Sequence, residues 1–271
     1  MRKRTLILVL FAVALGLGVW NYTYRPVVLE QSPLILGHGG MGTRSLLPLN
    51  SIESIREALS FPIQGSEIDV RMTSDAVLIA FHDNNLSSVT NCNGIIEQTS
   101  YSEIEKCNNS TWFKSSKIEA LTDILGKNWP SETTFSLDIK EFSEVGTKRS
   151  YLLLRALKEL TLRFPNYNFL VESMQLPFLA ELRGNGTNTQ LFFYARDLES
   201  ELPEVSALGL DGVSINMELT SKEQIALAQN SNIKVMLWGT GSVFSNRKAL
   251  QMSPDIIQTD DISSMMKLLE K

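Results

Sequence analysis

Short apolar segments alternate with helical patterns along the chain from residue 33 to its end. Helical patterns lie between most of these segments, for example over Ser51–Leu59, Tyr151–Phe164, Lys222–Gln229 and Ile262–Leu269. Strands that alternate with helices predict parallel βαβ units, in which the helices cover the sheet. The nine predicted strands are Pro33–Gly39, Glu67–Met72, Val77–His82, Thr134–Lys140, Asn168–Ser173, Gln190–Ala195, Gly212–Asn216, Lys234–Trp238 and Asp255–Thr259.

Nine strands are one more than a closed eightfold barrel needs. Only four residues separate Glu67–Met72 from Val77–His82, and so short a connection cannot hold a crossover helix. One of the nine is therefore expected to be irregular or hairpin-like. The predicted fold is α/β, a distorted (β/α)8 TIM barrel over residues 33–271, with no second domain. A chain of 271 residues with 43% hydrophobic content suits one such barrel. Residues 84–117 are a polar insertion in it.

A basic and then apolar segment precedes the predicted barrel. Three basic residues at positions 2–4 are followed by an apolar run over positions 6–20, which is the order of an export signal. We expect residues 1–24 to be a signal anchor or a signal peptide, and residues 25–32 to be an extended tether. An uncleaved anchor is favoured, because the small residues at 12–14 lie too early for a cleavage site. Either way the barrel is exported, anchored on the periplasmic or extracellular side of the membrane, or secreted.

The two cysteines fit an exported protein. Cys92 and Cys107 lie 15 positions apart in a polar stretch of the insertion, where a disulfide would close one surface loop. The alternative is a pair of unrelated free thiols. The spacing matches no metal-binding cysteine motif.

Charge limits the expected partners. The net charge is −5, and no basic stretch occurs after the N-terminus, so nucleic acid is not expected to bind. The expected partners are a small-molecule substrate and, through the N-terminal segment, a membrane. No sequence feature specifies an oligomer.

Charged residues on two predicted strands share one face of each strand. Residues two apart on a strand point to the same side, so Glu67, Asp69 and Arg71 face together, as do Asp138 and Lys140. Inward-facing charges are costly unless they are paired or bind something, and catalytic groups collect at the carboxyl ends of barrel strands. The three carboxylates form an oxygen-rich set suited to Ca²⁺ or Mg²⁺. Lys140 and Arg71 are candidates to neutralise a phosphate.

The chain has two histidines, His38 and His82, each at the end of a predicted strand. Two imidazoles beside a hard cation suit phosphoryl chemistry, because one takes a proton from the nucleophile and the other protonates the leaving alcohol. An ordinary pKa of about 6.5 suits both roles. Taken singly, an interior histidine is more often a hydrogen-bonded core residue, and a Glu-x-Asp strand is more often a solvated edge. Their co-occurrence favours a metal-assisted acid/base site.

Eight short motifs occur in a characteristic order. They are Gly37-His38-Gly39-Gly40, Pro48-Leu49-Asn50-Ser51, Glu67-Ile68-Asp69-Val70, Thr73-Ser74-Asp75-Ala76, His82-Asp83, Leu137-Asp138-Ile139-Lys140, Leu237-Trp238-Gly239-Thr240 and Ile256-Ile257-Gln258-Thr259-Asp260. This series resembles the glycerophosphodiester phosphodiesterase family. Members of that family are TIM-barrel enzymes, as are the phosphatidylinositol-specific phospholipases C. The resemblance spans residues 33–265 and is stronger in the first half.

The resemblance implies cation-dependent hydrolysis of glycerophosphodiesters to glycerol 3-phosphate and an alcohol. It also implies a role for each matching residue. Those roles are acid/base catalysis for His38 and His82, metal ligation for Glu67, Asp69 and Asp138, phosphate binding for Lys140, glycerol packing for Trp238, and orientation of His82 for Asp83. We also expect Arg71, from its place on the strand face, and Asn50, from the Pro-Leu-Asn-Ser motif, to contact the substrate.

Two positions depart from the family pattern. Gly39 stands where the family usually has Arg, and Leu49 stands where it has Glu. The missing guanidinium removes a bidentate phosphate contact. We expect Arg71 or Arg44 to replace it, or the N–H groups of the Gly-rich loop 37–42 to bind the phosphate.

Other functions are compatible with the same barrel. One is a phospholipase C- or D-like activity on lipids, and another is a catalytically inactive binding or scaffold module. Within the leading hypothesis, the nucleophile is either a neighbouring hydroxyl of the substrate or an activated water.

Overall fold

The computed structural model describes residues 11, 18, 23–111, 113–141 and 144–270. The predicted signal or anchor segment therefore lies outside the described residues, apart from positions 11, 18, 23 and 24. Among the helices of the described residues, none combines the length and the apolar character needed to cross a bilayer.

Eight parallel strands form a closed barrel, and a ninth strand extends its sheet. Going round the barrel the order is β1-β2-β6-β7-β8-β9-β10-β11, and β11 pairs with β1. The ninth strand, β3, runs antiparallel to β2, so the expected hairpin-like strand is the one that follows the short connection. The strands are β1 (Leu34–Gly37), β2 (Gly65–Met72), β3 (Leu78–Ala80), β4 (Asn108–Ser110), β5 (Ser115–Lys117), β6 (Thr134–Ile139), β7 (Asn168–Ser173), β8 (Gln190–Ala195), β9 (Gly212–Asn216), β10 (Lys234–Thr240) and β11 (Ile256–Thr259).

A helix follows each barrel strand and packs on the outside. Several helices begin at a residue whose side chain accepts a hydrogen bond from the first turn, as Ser51 does from the backbone N–H of Ser54. The α-helices are α1 (Ile52–Ala58), α2 (Tyr101–Ile104), α3 (Leu121–Leu125), α4 (Lys148–Arg163), α5 (Leu176–Gly184), α6 (Leu198–Ala207), α7 (Lys222–Asn230), α8 (Val243–Gln251) and α9 (Ile262–Leu269). Among them, only α2 lies within the insertion.

The barrel interior is apolar in its lower half. Leu36, Leu170, Phe192, Met236 and Ile256 fill it as one buried cluster. Because side chains two residues apart share a face, the next inward residue on each of these strands lies one layer higher, at the carboxyl end. Those upper positions carry polar or aromatic groups, namely His38, Glu172, Tyr194, Trp238 and Gln258. The lower layer thus forms the apolar floor of the barrel interior, and the upper layer places polar and aromatic side chains at the barrel mouth, where catalytic groups collect.

The insertion has a small core of its own. A disulfide joins Cys92 and Cys107, whose Cα atoms lie 5.7 Å apart. Leu86, Ile96 and Ile104 of the insertion pack beneath it against three apolar residues that flank the insertion, Ile79 of β3, Phe81 and Ile118. The segment is therefore a folded cap on the barrel, although its sequence is mainly polar.

Residues 23–32, here called the strap, contain neither a strand nor an extended helix, but they are packed rather than free. The Val27 backbone N–H donates to the carbonyl of Leu268, at 2.8 Å, and Val27 and Leu29 pack against the main core. The Arg247 guanidinium donates to the carbonyl oxygens of Thr23 and Arg25. The expected tether is thus fastened along α8 and α9.

Candidate active site

Three buried carboxylates meet at the carboxyl ends of two neighbouring strands. Glu67 and Asp69 lie on β2, and Asp138 lies on β6 in register with Asp69. Each offers an oxygen atom, and these three atoms lie within 4.8 Å of one another. Glu67 Oε1 is buried and has no hydrogen-bond partner. A buried, unpaired carboxylate oxygen in an all-oxygen set fits a hard divalent cation, so these residues could hold Ca²⁺ or Mg²⁺ as the sequence predicts.

Burial and mutual repulsion act strongly on these carboxylates. Burial, reinforced by the charge of Asp69, raises the pKa of Glu67 well above its usual range. Burial also raises the pKa of Asp138, although Lys140 partly offsets this. The pKa of Asp69 is lowered despite its burial, because the charges of Lys140 and both histidines outweigh desolvation. The set thus holds more negative charge than its neighbours balance, which is the condition that a bound cation relieves.

Lys140 lies between two of the carboxylates. Its Nζ is 2.6 Å from Asp138 Oδ2 and 3.1 Å from Asp69 Oδ1. These charges raise the pKa of Lys140 above its usual range although burial opposes them, so the ammonium group stays charged. Lys140 also lines a cavity of about 460 Å³ at the barrel mouth, where it faces the space that a substrate would enter.

His38 is oriented by a carboxylate from the opposite end of the sequence. Its Nδ1 lies 2.8 Å from Asp260 Oδ1, and its Nε2 lies 3.9 Å from Glu67 Oε2. Burial alone would lower the pKa of His38, but the bond to Asp260 and the charge of Glu67 outweigh it and raise the pKa to about 10. The same bond lowers the pKa of Asp260 to about 2.

His82 has a similar partner. Its Nδ1 lies 2.6 Å from Asp83 Oδ1, so Asp83 occupies the orienting position that the resemblance implies. The carbonyl of His82 accepts a hydrogen bond from Arg71 Nε at 2.8 Å, and Arg71 Nη1 pairs with Glu97 of the insertion at 2.9 Å. Arg71, His82 and Asp83 line the same cavity as Lys140. Two of the guanidinium nitrogens of Arg71, Nε and Nη1, therefore bond to other residues of the protein. The predicted contact with the substrate would be made by the third nitrogen, Nη2.

Asn50 lies behind the carboxylates rather than in the cavity wall. It is buried, its Nδ2 donates to Asp69 Oδ2 at 2.8 Å, and its Oδ1 accepts from the backbone N–H of Asp69 at 3.0 Å. The sequence predicts a substrate contact for Asn50, but the structure uses both ends of its amide to orient Asp69. The positive φ of 63° at Asn50 places the side chain there.

Three backbone N–H groups in and beside the Gly-rich loop after β1 donate to side chains of the protein. Gly39 N–H donates to Glu67 Oε2 at 2.8 Å, Met41 N–H to Ser54 Oγ at 2.9 Å and Thr43 N–H to Asp260 Oδ1 at 2.9 Å. These three groups are engaged within the protein, and of them Gly39 and Met41 belong to the loop 37–42 that the sequence offers as a phosphate-binding alternative. The loop instead positions the partners of His38.

Two aromatic rings form one wall of the mouth. Trp238 on β10 and Tyr194 on β8 have ring centroids 5.2 Å apart and planes tilted by 35°. Tyr194 lines the cavity, and burial raises its pKa to about 12. Trp238 Nε1 is buried without a hydrogen-bond partner.

Arg44, in the first loop, is exposed, and its Nε donates to the Gly241 carbonyl at 2.7 Å.

Sequence reasoning missed three residues of this site. Asp260 appears only as the end of a strand motif, Glu172 is a single acidic residue in an apolar strand, and Tyr194 looks like an ordinary strand aromatic. Glu172 is in register with Asp138, its Oε1 accepts from Ser136 Oγ at 2.5 Å, and burial and the charge of Asp138 raise its pKa to about 7. A buried-strand carboxylate two residues above an apolar floor position was the signal that would have found it.

Comparison with known proteins identifies the family. The sequence pattern of the glycerophosphoryl diester phosphodiesterase family matches residues 38–264. The glycerophosphodiester phosphodiesterase of Caldanaerobacter subterraneus subsp. tengcongensis is 21% identical over 249 residues, which is 88% of this chain and 98% of that protein. Bacillus subtilis YqiK is 24% identical over 103 residues, which is 36% of this chain, and the match spans 42% of YqiK.

A solved structure shares the fold. The structure of an Oleispira antarctica phosphodiesterase in complex with the product sn-glycerol-3-phosphate matches with a TM-score of 0.77 at 17% identity, over 88% of this chain and 97% of that one. The family match covers well over half of the chain. The chain therefore belongs to the glycerophosphoryl diester phosphodiesterase family.

Proposed function

We propose that this phosphodiesterase hydrolyses glycerophosphodiesters to glycerol 3-phosphate and an alcohol with a divalent cation and two histidines. The observation that carries the proposal is the set of three carboxylate oxygens within 4.8 Å, flanked by two histidines that each have a carboxylate on Nδ1. The product complex of the Oleispira antarctica phosphodiesterase supports glycerol 3-phosphate as the product.

Glu67, Asp69 and Asp138 would hold the cation, Ca²⁺ or Mg²⁺. When bound, such a cation neutralises charge that develops on the phosphoryl oxygens. Asn50 keeps Asp69 aimed at the site, and the N–H of Gly39 does the same for Glu67. These supporting bonds hold ligand atoms in place before substrate arrives, which favours the transition state over the ground state.

Each histidine transfers a proton to or from the substrate through its Nε2 atom. In each ring Nδ1 is occupied by a carboxylate, Asp260 for His38 and Asp83 for His82, so Nε2 is the atom left to face the substrate. One Nε2 accepts the proton of the attacking hydroxyl, and the other donates a proton to the leaving alcohol oxygen. The orienting carboxylate also stabilises the ring when it carries the extra proton.

Lys140 and an arginine balance the phosphate charge. Lys140 Nζ lies at the cavity with two carboxylates beside it. Arg44 is the better replacement for the family arginine, because its side chain is exposed and its Nε donates to the Gly241 carbonyl, whereas Arg71 is buried and bonds to both His82 and Glu97. We expect Arg44→Ala to raise KM and Arg71→Ala to lower kcat. If turnover is unchanged in both variants, this assignment is wrong.

The nucleophile is either the neighbouring hydroxyl of the glycerol or a water. Attack by the hydroxyl forms a five-membered cyclic phosphate and expels the alcohol, and water then opens the ring. Direct attack by water gives no cyclic species. Phosphorus NMR of an early time point distinguishes the two, since only the first route gives a cyclic phosphate signal.

The test of the proposed function uses the full chain in detergent micelles, stripped with chelator and resupplied with Ca²⁺, Mg²⁺ or Mn²⁺. Glycerol 3-phosphate release is measured from glycerophosphocholine, glycerophosphoethanolamine and glycerophosphoglycerol, with His38→Gln and His82→Gln in parallel. We expect cation-dependent release that falls by about 10²-fold or more in either variant. No release by the folded wild type with any cation would overturn the proposal and favour an inactive scaffold.

We also propose that the barrel works outside the cytoplasm. The Cys92–Cys107 disulfide supports this, because such bonds persist in oxidising compartments, and so does the basic-then-apolar N-terminus. A membrane-impermeant protease added to cells whose outer envelope has been removed, with the inner membrane intact, should degrade the barrel of the full chain. Protection of the barrel until the cells are lysed would contradict an exported location.

A further inference from the structure

Exposed apolar side chains surround the mouth of the barrel. Phe113, Phe244 and Leu46 are 71%, 66% and 58% exposed, and Leu219 and Val145 are also exposed. Phe113 lies in the turn between β4 and β5 of the insertion, and the other four lie in segments that follow β1, β6, β9 and β10. Such segments all lie at the carboxyl ends of the strands. These five residues, here called the rim, therefore lie on the same side of the molecule as the active site.

Two of the rim segments are joined to each other. The insertion turn is fastened to the first loop, because Thr111 Oγ1 donates to the Leu46 carbonyl at 2.9 Å and Asn109 Nδ2 to the Leu49 carbonyl at 3.4 Å. Phe113 and Leu46 are thus held near each other. Large apolar side chains kept in water around one opening indicate a surface that is covered by something else.

The N-terminal part of the chain leads toward this side. Arg247 on α8 holds Thr23 and Arg25, and it lies three positions after Phe244, which is about 5 Å along the helix. From Leu268, at the lower end of α9, the strap therefore rises toward the rim as it is followed back to Thr23. The apolar run 6–20 ends two residues before residue 23, so its attachment point is on the flank below the rim.

The charges beside the rim are mixed. Arg44 lies beside Leu46 and Lys114 beside Phe113, whereas Glu144 lies beside Val145. Glu218, next to Leu219, is paired with Lys248 at 2.8 Å. With both signs interspersed, the surface does not match a strongly charged partner. Apolar residues among mixed charges suit the interface of a zwitterionic lipid layer.

We propose that the rim docks on a zwitterionic lipid surface, with the barrel mouth facing the lipid. The apolar side chains of the rim enter the headgroup region. This goes beyond the hydrolytic reaction. Its consequence rests on the proposed function: the site receives phosphodiesters that are still attached to an acyl chain in the lipid layer, such as lysophospholipids.

The docking test uses one introduced cysteine as a label site. The two native cysteines form a disulfide, so an added cysteine is a unique thiol. Phe113→Cys and Phe244→Cys report on the rim, and Leu162→Cys, a 70% exposed position at the lower end of α4, is the matched control. Each full-length variant carries an environment-sensitive fluorophore and is reconstituted into phosphatidylcholine vesicles with a spin-labelled phosphatidylcholine quencher. We expect quenching at both rim positions to exceed that at position 162 by about threefold or more.

Two results would overturn the docking proposal. One is quenching at positions 113 and 244 no greater than at position 162. The other is a blue-shifted rim label in lipid-free detergent with a dimer in sedimentation analysis, because a second copy of the chain would then cover the rim.

The second arm tests the lipid-borne substrate with the triple variant L46S/F113S/F244S. These side chains are exposed, so the polar substitutions should leave folding and the hydrolysis of soluble glycerophosphocholine unchanged. Hydrolysis of lysophosphatidylcholine in vesicles should fall about tenfold or more. An equal rate on the vesicle substrate would overturn its delivery through the rim. If the wild type cleaves neither substrate, the proposed function fails, whereas the quenching result still decides the docking.

Discussion

Gly39 and Leu49, the two residues that depart from the family pattern, lie against each other. Gly39 has a φ of +55°, and a Cβ atom at this position would lie 3.0 Å from Leu49 Cβ. The N–H of Gly39 holds Glu67. The two positions are thus neighbours in space. The two departures from the family pattern are therefore one local feature beside the carboxylate set.

The tight fit at Gly39 gives a stability prediction. Gly39→Ala should lower the free energy of unfolding by about 1–2 kcal/mol for the left-handed backbone alone, and by more because of the Leu49 contact. Gly146→Ala is the matched control, since Gly146 has a φ of +81° and the Cβ of an alanine there would have no heavy atom within 4 Å. Urea denaturation measures both. Equal losses in the two variants would mean that the Leu49 contact costs nothing.

The His38–Asp260 pair makes the stability of the cation-free protein depend on pH. The pKa of His38 is about 10 against an ordinary 6.5, so this contribution is complete below pH 6.5 and is lost as the pH rises through 10. The pKa of Asp260 is about 2 against an ordinary 3.8, so its contribution is present above pH 3.8 and is lost as the pH falls through 2. The pair therefore stabilises the fold most between pH 3.8 and 6.5.

Asp260→Asn should remove this effect. We expect the pKa of His38 in the cation-free variant to fall markedly, and the stability difference from the wild type to be largest near pH 5 and to shrink toward pH 10. With two histidines in the chain, proton NMR follows His38 directly, and His82 serves as the internal control. A pKa of His38 that is the same in wild type and variant would contradict the assignment.

The insertion acts on the site as a structural element. Glu97 pairs with Arg71, and Arg71 donates to the carbonyl of His82, so the insertion helps to position His82, one of the two proposed acid/base residues. The disulfide and the small core beneath it keep Glu97 in place. The carboxylates on β2 and β6 do not depend on this chain of contacts. The insertion should therefore affect proton transfer and leave cation binding intact.

Cys92→Ser combined with Cys107→Ser tests this separation. Loss of the 15-residue closed loop should destabilise the insertion by up to about 3 kcal/mol. Misplacement of His82 should lower kcat by on the order of tenfold or more, while the cation-induced rise in Tm stays the same. Glu97→Gln should lower kcat in the same way with the disulfide intact. A double serine variant with wild-type kcat would show that His82 is positioned without the insertion.

At the scale of the whole molecule, the carboxylate set joins two strands of the barrel wall. A cation held by Glu67 and Asp69 on β2 and Asp138 on β6 binds only the folded chain, so it stabilises the fold by mass action. At a cation concentration 100-fold above Kd, the gain is about 2.7 kcal/mol. The rise in Tm with added Ca²⁺ or Mg²⁺ measures it without any substrate.

Glu67→Gln should abolish this gain. Burial disfavours the charge of Glu67, so the neutral amide should keep the Tm of the cation-free protein at or above that of the wild type. Glu159→Gln, at an exposed pair on α4, controls for the change of one acidic residue. A Tm of Glu67→Gln that still rises with cation as in the wild type would exclude Glu67 as a ligand.

The order of strands and helices was predictable from the sequence because it depends on local periodicity. The hairpin-like β3 followed from a four-residue connection, and the shared face of Glu67 and Asp69 followed from alternation along one strand. The same holds for His82 and Asp83, which are neighbours in the chain. Each of these features depends on residues that are close in the sequence, so the local pattern of residue types is enough to predict it.

Only the closed barrel decided the rest. Asp260 meets His38 across 222 positions, and Glu172 comes beside Asp138 because β7 pairs with β6 in that register. The side chain of Asn50 hydrogen-bonds to Asp69, and the strap packs on α8 and α9. No local sequence pattern predicts either contact. The sequence by itself determined which residue types reach the upper layer of each strand. The tertiary structure determined which of them touch, because hydrogen bonds and ion pairs need distances of about 3 Å, and only strand register and closure set those distances.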